Sequence, residues 1–401
     1  MLEWSLMSKK LYDESVQIHR QHVGKLATIA ICEVKDKHDL SLLYTPGVAE
    51  PCRVIEKDKE ESFKLTSRGR TVAVISDGSA VLGLGNIGPE ASLPVMEGKA
   101  LLMKEFAGVD AVPIAISTQD PHEIAQFIRH IAPSFVGINI EDISAPRCFD
   151  IETELQDLGI TVFHDDQHGT AIVVSAALHN AAKVIDKKFE DLKVVVVGAG
   201  AAGMAVSLML LGIEMDSNGC RKVDGVQKVG DLILIDSKGA INEFRTDLDK
   251  HKQCIAAHSN KNQVGGSLAE AIKGADVVIG VSRANLITQD MVKSMTKDAI
   301  VFAMANPEPE IMPDLAMAAG AAIVATGRSD FKNQINNVLA FPGVFRAVVD
   351  GRLPRITTQM KHAAAQAIAD LVKEPNAEKI IPEPFEPNVA KVVSQAILRV
   401  K

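Results

Sequence analysis

The chain has 401 residues, a net charge of −8, 47% hydrophobic residues and 23% charged residues. This length leaves room for two or three domains, and the composition is that of an ordinary globular protein. With no basic tract and no apolar run near the ~20 residues that span a bilayer, the chain is expected to bind neither nucleic acid nor membrane.

Residues 8–32 read as a helix, polar on one side and interrupted only by Gly24. Residues 35–43 lead into Tyr44-Thr45-Pro46-Gly47, an extended loop signal, and residues 48–57 read as helix again. The first buried strand is 71–76. After it come helix 94–107, strand 111–116, helix 121–132 and strand 135–140, which ends at Glu141 and Asp142. Helix 145–158 follows, then a short strand, 161–163, ending in His164-Asp165-Asp166. Acids thus stand at strand C-termini in a βαβαβ region, where open parallel sheets place their ligands.

An alanine-rich helix over 170–184 bridges to a second domain. Residues 194–197 are β-branched and read as a strand buried on both faces. They run directly into Gly198, Gly200 and Gly203, which fit G-x-G-x-x-G with Ala201 and Ala202 between them; helix 204–211 and strand 231–235, ending at Asp236, complete the unit. This order is the dinucleotide-binding unit. The pyrophosphate rests on the helix N-terminus, and the acid accepts hydrogen bonds from ribose hydroxyls. Gly83, Gly85 and Gly88 match the same pattern but do not follow their strand directly. The polar segment 214–230 reads as a surface insertion.

Further on, strands 276–280, 300–303 and 322–325 alternate with helices 268–272 and 289–295. Asn306 lies in the loop after the second of these strands, and Asn336 and Asn337 lie in the loop after the third. Amphipathic helices 357–371 and 387–400 are expected to fold back on the first domain. The expected fold class is α/β: a Rossmann-type, doubly wound parallel sheet domain over 166–354, and a second α/β (βαβ) substrate domain over 1–165 joined by the helices of 355–401.

Adjacent carboxylates repel, so burying Glu141, Asp142, Asp165 and Asp166 calls for a hard dication such as Mg²⁺ or Mn²⁺. The same spacing also fits two solvated loop-end acid pairs. Lys99, in an apolar segment, reads as a base with a lowered pKa or as a surface lysine. Tyr44 reads as a general acid or a loop anchor, and Asn306, Asn336 and Asn337 as ligand-binding or turn-forming amides. The cysteines, Cys32, Cys52, Cys148, Cys220 and Cys254, are odd in number and lack a C-x-x-C pair. No disulfide framework or zinc site is expected, and a cytoplasmic location is.

Taken together, several motifs resemble the malic enzyme family, in the same order. They are Tyr44-Thr45-Pro46-Gly47-Val48-Ala49, segment 76–88, Glu97-Gly98-Lys99, Glu141-Asp142, Asp165-Asp166-Gln167-His168-Gly169-Thr170, turn 198–203 and segment 336–343. The resemblance runs from about residue 15 to the C-terminus, and the length is similar to the short prokaryotic type. It implies oxidative decarboxylation of L-malate to pyruvate and CO₂ with NAD(P) and Mg²⁺ or Mn²⁺. By position, Tyr44 resembles the proton donor, Lys99 the general base, which also contacts substrate, and Asp165 the acid beside that base. Glu141, Asp142 and Asp166 resemble the metal ligands. Asn306 and Asn337 resemble amides that contact cofactor and substrate. Larger relatives carry a substrate-gripping arginine where this chain has Ala80, and Ser237 stands where a basic residue is common. NAD is expected over NADP because Asp236 would repel a 2′-phosphate, with Lys238 near enough to oppose it. A homodimer is implied, with helix 8–32 as an interface element. Two other readings are a malolactic enzyme, which retains NAD and releases lactate, and a non-catalytic nicotinamide-nucleotide sensor.

Overall fold

The computed structural model describes residues 2–216 and 219–401. Helix α1 spans Leu2–His22 and stops ten residues short of the expected end. Val23 and Gly24 take left-handed φ values of 54° and 99°, which no helix continues through. Helix α2, Pro89–Ala107, starts earlier than expected because Pro89 sits in its first turn, where its missing N–H costs nothing.

Four parallel strands form the first sheet: β1 (Thr71–Ser76), β2 (Asp110–Ala115), β3 (Gly137–Ile140) and β4 (Thr161–His164), in the order β2-β1-β3-β4. Ile140 pairs with His164 across β3 and β4. The next residues, Glu141 and Asp165, therefore leave the sheet side by side. Helix α3, Asp165–Val184, begins at once, five residues before the helix expected from residue 170. Asp165 and Asp166 occupy its first turn, where the helix N-terminus favours negative charge.

The second sheet contains β5 (Lys193–Val197), β8 (Asp231–Asp236), β9 (Gly239–Ala240), β10 (Val277–Gly280), β11 (Ile300–Ala303) and β12 (Ile323–Thr326). Their order is β12-β11-β10-β5-β8-β9, all parallel except β9. Helix α4, Ala201–Leu211, follows β5 and is apolar all round, as a buried helix should be. The segment expected as an insertion carries the hairpin of β6 (Ile213–Asp216) and β7 (Gly219–Lys222). Cys220 of this hairpin is bonded to Cys254 of helix α5 (Lys250–Ala256), with Cα atoms 6.0 Å apart. That disulfide was not expected from an odd, unpatterned set of cysteines; it joins residues that meet only when the hairpin folds onto α5.

Helix α3 is the central beam. Ile172, Val174, Leu178 and Ala181 are fully buried, and α4 packs along it. Full burial of the three larger side chains contributes roughly 1.5–3 kcal/mol each. Helices α6 (Phe341–Gly351), α7 (Thr358–Ala369) and α8 (Val389–Arg399) pack on this beam and on α2. The C-terminal helices thus return to the first sheet's side. Among the described residues no helix is long and apolar enough to cross a membrane.

Candidate active site

The acids at the ends of β3 and β4 close around one lysine. Lys99, from the middle of α2, is only 8% exposed. Its Nζ lies 2.7 Å from Asp165 Oδ2 and 2.7 Å from Glu141 Oε1. The Phe341 ring covers it, with the centroid 4.2 Å from Nζ. Asn337 Nδ2 donates to the same Asp165 oxygen at 2.6 Å. A Cβ at position 169 would collide with Asp165 Oδ1, so only glycine lets that carboxylate sit here. The expectation of a lysine with a lowered pKa is reversed. Burial does lower it, but Asp165 and Glu141 outweigh burial and hold the ammonium above its ordinary value.

On the other side of Glu141, three carboxylates converge. Oxygens of Glu141, Asp142 and Asp166 all lie within 4.8 Å of one another. Asp142 has a left-handed φ of 54°, and its backbone N–H donates to Asp166 Oδ2 at 2.7 Å. Burial beside Asp166 pushes the Asp142 carboxyl up to about 7. Asp142 Oδ2 is buried and has no hydrogen-bond partner among the described residues. Converging oxygens, mutual repulsion and an orphaned buried acceptor fit a hard divalent cation.

A polar chain runs from these acids to the back of the fold. His164 Nε2 lies 3.2 Å from Asp166 Oδ2, and Gln167 Nε2 meets His164 Nδ1 at 2.8 Å. Gln167 also donates to Glu152, which bonds His168 Nε2 at 2.6 Å. His168 Nδ1 in turn faces Lys361 Nζ at 2.9 Å. Burial raises the Glu152 carboxyl, but His168 and Lys361 more than compensate and bring it down to about 2. Sequence reasoning missed Glu152 and Lys361. They are 209 positions apart (361 − 152), and neither lies in a signalling motif.

The glycine turn is built as expected. A Cβ on Gly203 would collide with the Gly198 carbonyl, so helix α4 can approach β5 only with glycine there. A Cβ on Gly200 would meet nothing within 4 Å, which leaves open space in front of the N–H groups of Ala201, Ala202 and Gly203. That cradle fits a pyrophosphate. Asp236 stands beside it, since the Gly198 N–H bonds the Ile235 carbonyl at 2.9 Å. The expected free acceptor is not free, however. Arg245 and Lys252, which sequence reasoning did not single out, hold the Asp236 carboxylate as ion pairs at 2.7 and 3.0 Å.

Two expected residues stand apart. Tyr44 is 67% exposed on the N-terminal segment and makes no side-chain bond to the lysine cluster among the described residues. Asn306 turns its amide toward the Met304 carbonyl at 3.4 Å. Its own carbonyl lies 3.4 Å from where a Cβ on Gly83 would stand, so the loops of the two sheets touch there.

A Rossmann-type glycine turn on one sheet, with a buried lysine and a metal-competent acid cluster on the other, is the arrangement of a nicotinamide-dependent oxidoreductase. The comparisons with known proteins are more specific. The model "Malic enzyme, NAD binding domain" matches residues 167–399, and "Malic enzyme, N-terminal domain" matches residues 23–126. A bifunctional malic/malolactic enzyme of Bacillus subtilis is 50% identical over 97% of this chain and 92% of its own length. An NAD-dependent malic enzyme of Geobacillus stearothermophilus is also 50% identical, over 97% of this chain and 79% of its own. An NADP-dependent malic enzyme of Escherichia coli is 40% identical over 98% of this chain and 52% of its own. The crystal structure of an NAD-dependent malic enzyme from Thermotoga maritima superposes with a TM-score of 0.89 at 47% identity, covering 95% of this chain and 98% of that one. The chain belongs to the malic enzyme family.

Proposed function

We propose that this protein oxidatively decarboxylates L-malate to pyruvate and CO₂ while reducing a nicotinamide dinucleotide. The observation that carries the reading is the juxtaposition of Lys99, held at 2.7 Å by Asp165 and by Glu141, with the converging oxygens of Glu141, Asp142 and Asp166. Those three acids are the residues that would hold Mg²⁺ or Mn²⁺. Bound there, a dication would supply Lewis-acid polarisation of the substrate's oxygens and would offset the charge of Glu141 beside Lys99, and a bound nicotinamide would supply the hydride acceptor. Lys99 takes the C2 hydroxyl proton. Asp165 keeps the ammonium in place and Asn337 keeps Asp165 in place. Phe341 shields Lys99 from water. Tyr44 gives its phenol proton to C3 after CO₂ has left. Asn337 and Lys99 contact the substrate, and Asn306 contacts the cofactor at the seam between the two sheets. The turn from Gly198 through Gly200, Ala201 and Ala202 to Gly203 receives the pyrophosphate. The substrate unit is 1–165 with 355–401, and the dinucleotide unit is 166–354.

NAD is the dinucleotide favoured by an acid at the end of β8, although Arg245 and Lys252 offset its charge. Relatives named for NAD and for NADP both lie within the 40–50% identity range, so the choice belongs to local contacts. A homodimer is supported by the N-terminal segment. Leu11, Tyr12, Val16, Ile18, Ile29 and Ile31 are all exposed there, an apolar surface that a second copy would cover. A cytoplasmic location goes with the substrate and cofactor.

A malolactic outcome is the second reading, favoured by the 50% identical relative named for both activities. One assay separates them. With malate, NAD and Mn²⁺, the proposed reaction yields pyruvate and NADH in equal amounts. Lactate without net NADH would identify malolactic chemistry, and neither product would indicate a nucleotide-binding protein without catalysis.

A further inference from the structure

A cavity of about 200 Å³ lies between helices α3, α4 and α7. Lys99, Glu141, Asp142, Asp166, the turn Gly198–Gly203 and Asp236 are all absent from its wall, so it is separate from the lysine cluster and from the glycine turn. Part of the wall is apolar: Met204, Leu208 and Met209 of α4, Met215 of β6, Phe149 and Ile356. Methionines adapt their shape to an apolar guest. A cavity of about 150 Å³ accommodates benzene, so this one has room for a short apolar chain.

The rest of the wall is polar, and its charges are unevenly paired. The three acids have basic partners. Glu152 bonds His168 at 2.6 Å, Glu214 pairs with Arg221 at 2.7 Å, and Asp216 faces the same Arg221 at 3.8 Å. The lysine and the arginine of the wall, Lys361 and Arg355, form no ion pair among the described residues. Lys361 Nζ gives one proton to His168 Nδ1 at 2.9 Å. That nitrogen accepts only while the ring keeps its proton on Nε2, where it donates to Glu152. Two ammonium protons of Lys361 remain. Burial, opposed by Glu152 and Glu214, holds this ammonium below its ordinary value. A half-buried cation without a carboxylate in contact is costly, and an anion in the cavity would relieve that cost. Thr358, the first residue of α7, is also in the wall, so the helix end that favours negative charge borders the same space.

We propose that this cavity is a second ligand site, which binds a small monocarboxylate with a short apolar tail: the carboxylate on Lys361 and Arg355, the tail among the methionines of α4 and β6. Malate is a poor fit, because it carries a second carboxylate and no apolar tail. The site stands on its own residues and does not require the catalytic reading above.

The test is titration calorimetry of the whole protein with hexanoate as the probe, without malate or nucleotide. Hexanoate is expected to bind saturably with a Kd of about 1 mM or tighter. Acetate, which lacks the tail, and hexanol, which lacks the charge, should each bind at least about tenfold more weakly. Lys361→Met should weaken hexanoate by about tenfold or more. Arg355→Ala, at an exposed position, should weaken it by about threefold. Ala171→Leu fills the cavity without altering charge and should prevent binding. Lys99→Ala should bind hexanoate as wild type does, which separates this site from the lysine cluster. Absence of saturable hexanoate binding by wild type would overturn the proposal. So would hexanol binding as tightly as hexanoate, or binding that is lost in Lys99→Ala and kept in Lys361→Met. If Lys361→Met lowers the thermal unfolding temperature, Arg355→Ala and Ala171→Leu decide, and unchanged hexanoate affinity in both overturns the site.

Discussion

For Lys99, what stands opposite the ammonium decides its chemistry. Between Asp165 and Glu141 the ammonium is held above its ordinary pKa, and a dication held by Glu141 would oppose that shift. Two proton-transfer roles then separate by mutation. Lys99→Ala should depress malate oxidation and oxaloacetate reduction alike, by about 10²–10⁴-fold. Tyr44→Phe keeps the ring and removes the phenol proton, so it should spare oxaloacetate reduction more than pyruvate formation. Equal damage to both reactions would return Tyr44 to the role of a loop anchor. At the acid cluster, Asp166→Ala should remove most Mn²⁺ affinity, read by calorimetry or by spin-resonance titration of free Mn²⁺. EDTA should abolish turnover until Mn²⁺ or Mg²⁺ is restored. Undiminished Mn²⁺ binding by the variant would dismiss the three-carboxylate site. Sequence showed which side chains were available. The unpartnered oxygen of Asp142 and the reversed pKa of Lys99 came from distances alone.

At the scale of elements, helix α3 does two jobs. Its first turn carries Asp165 and Asp166, while its alanine-rich body is buried among α4, α7 and the first sheet. Near its far end His179 stacks on Phe189 at 4.0 Å between ring centroids. Burial, reinforced by His362, brings the His179 pKa down to about 4, and burial beside Lys361 does the same for His362 on α7. An unfolded histidine titrates near 6.5, so below that pH the unfolded chain takes up protons that the folded one refuses. The stability at stake is fully present above about pH 6.5 and is lost as pH falls toward about 4, on the order of 3 kcal/mol for one such group. His179→Gln should therefore show a smaller drop in Tm between pH 7 and 4.5 than wild type. An identical drop would mean that His179 titrates normally. The start of α3 was misread from sequence because His164-Asp165-Asp166 is equally plausible as a strand end. Only the β3–β4 register shows that the chain turns into helix immediately.

At the scale of the whole molecule, the substrate unit and the dinucleotide unit share one beam, and the N-terminal segment lies outside both cores. Val16 and Ile18 are each nearly half exposed on α1. Val16→Asp with Ile18→Asp should shift the protein toward monomer in light scattering, with little change in the thermal unfolding of the core. An unaltered mass would mean that this face is not the dimer contact. The sequence by itself determined the class of fold, the glycine turn and the identity of the clustered acids. Those features are written in local period and spacing: β-branched runs, glycines where a Cβ cannot fit, and acids at strand ends. The tertiary structure decided everything that depends on charges meeting across long stretches of chain. It brought Arg245 and Lys252 onto Asp236, Lys361 toward Glu152 and Cys220 to Cys254, and it left Tyr44 in solvent. The physical reason is range. A pattern of residues encodes which way one element faces, whereas the sign and strength of an ionic contact fall off with distance through the folded molecule, and that distance exists only once the elements have packed.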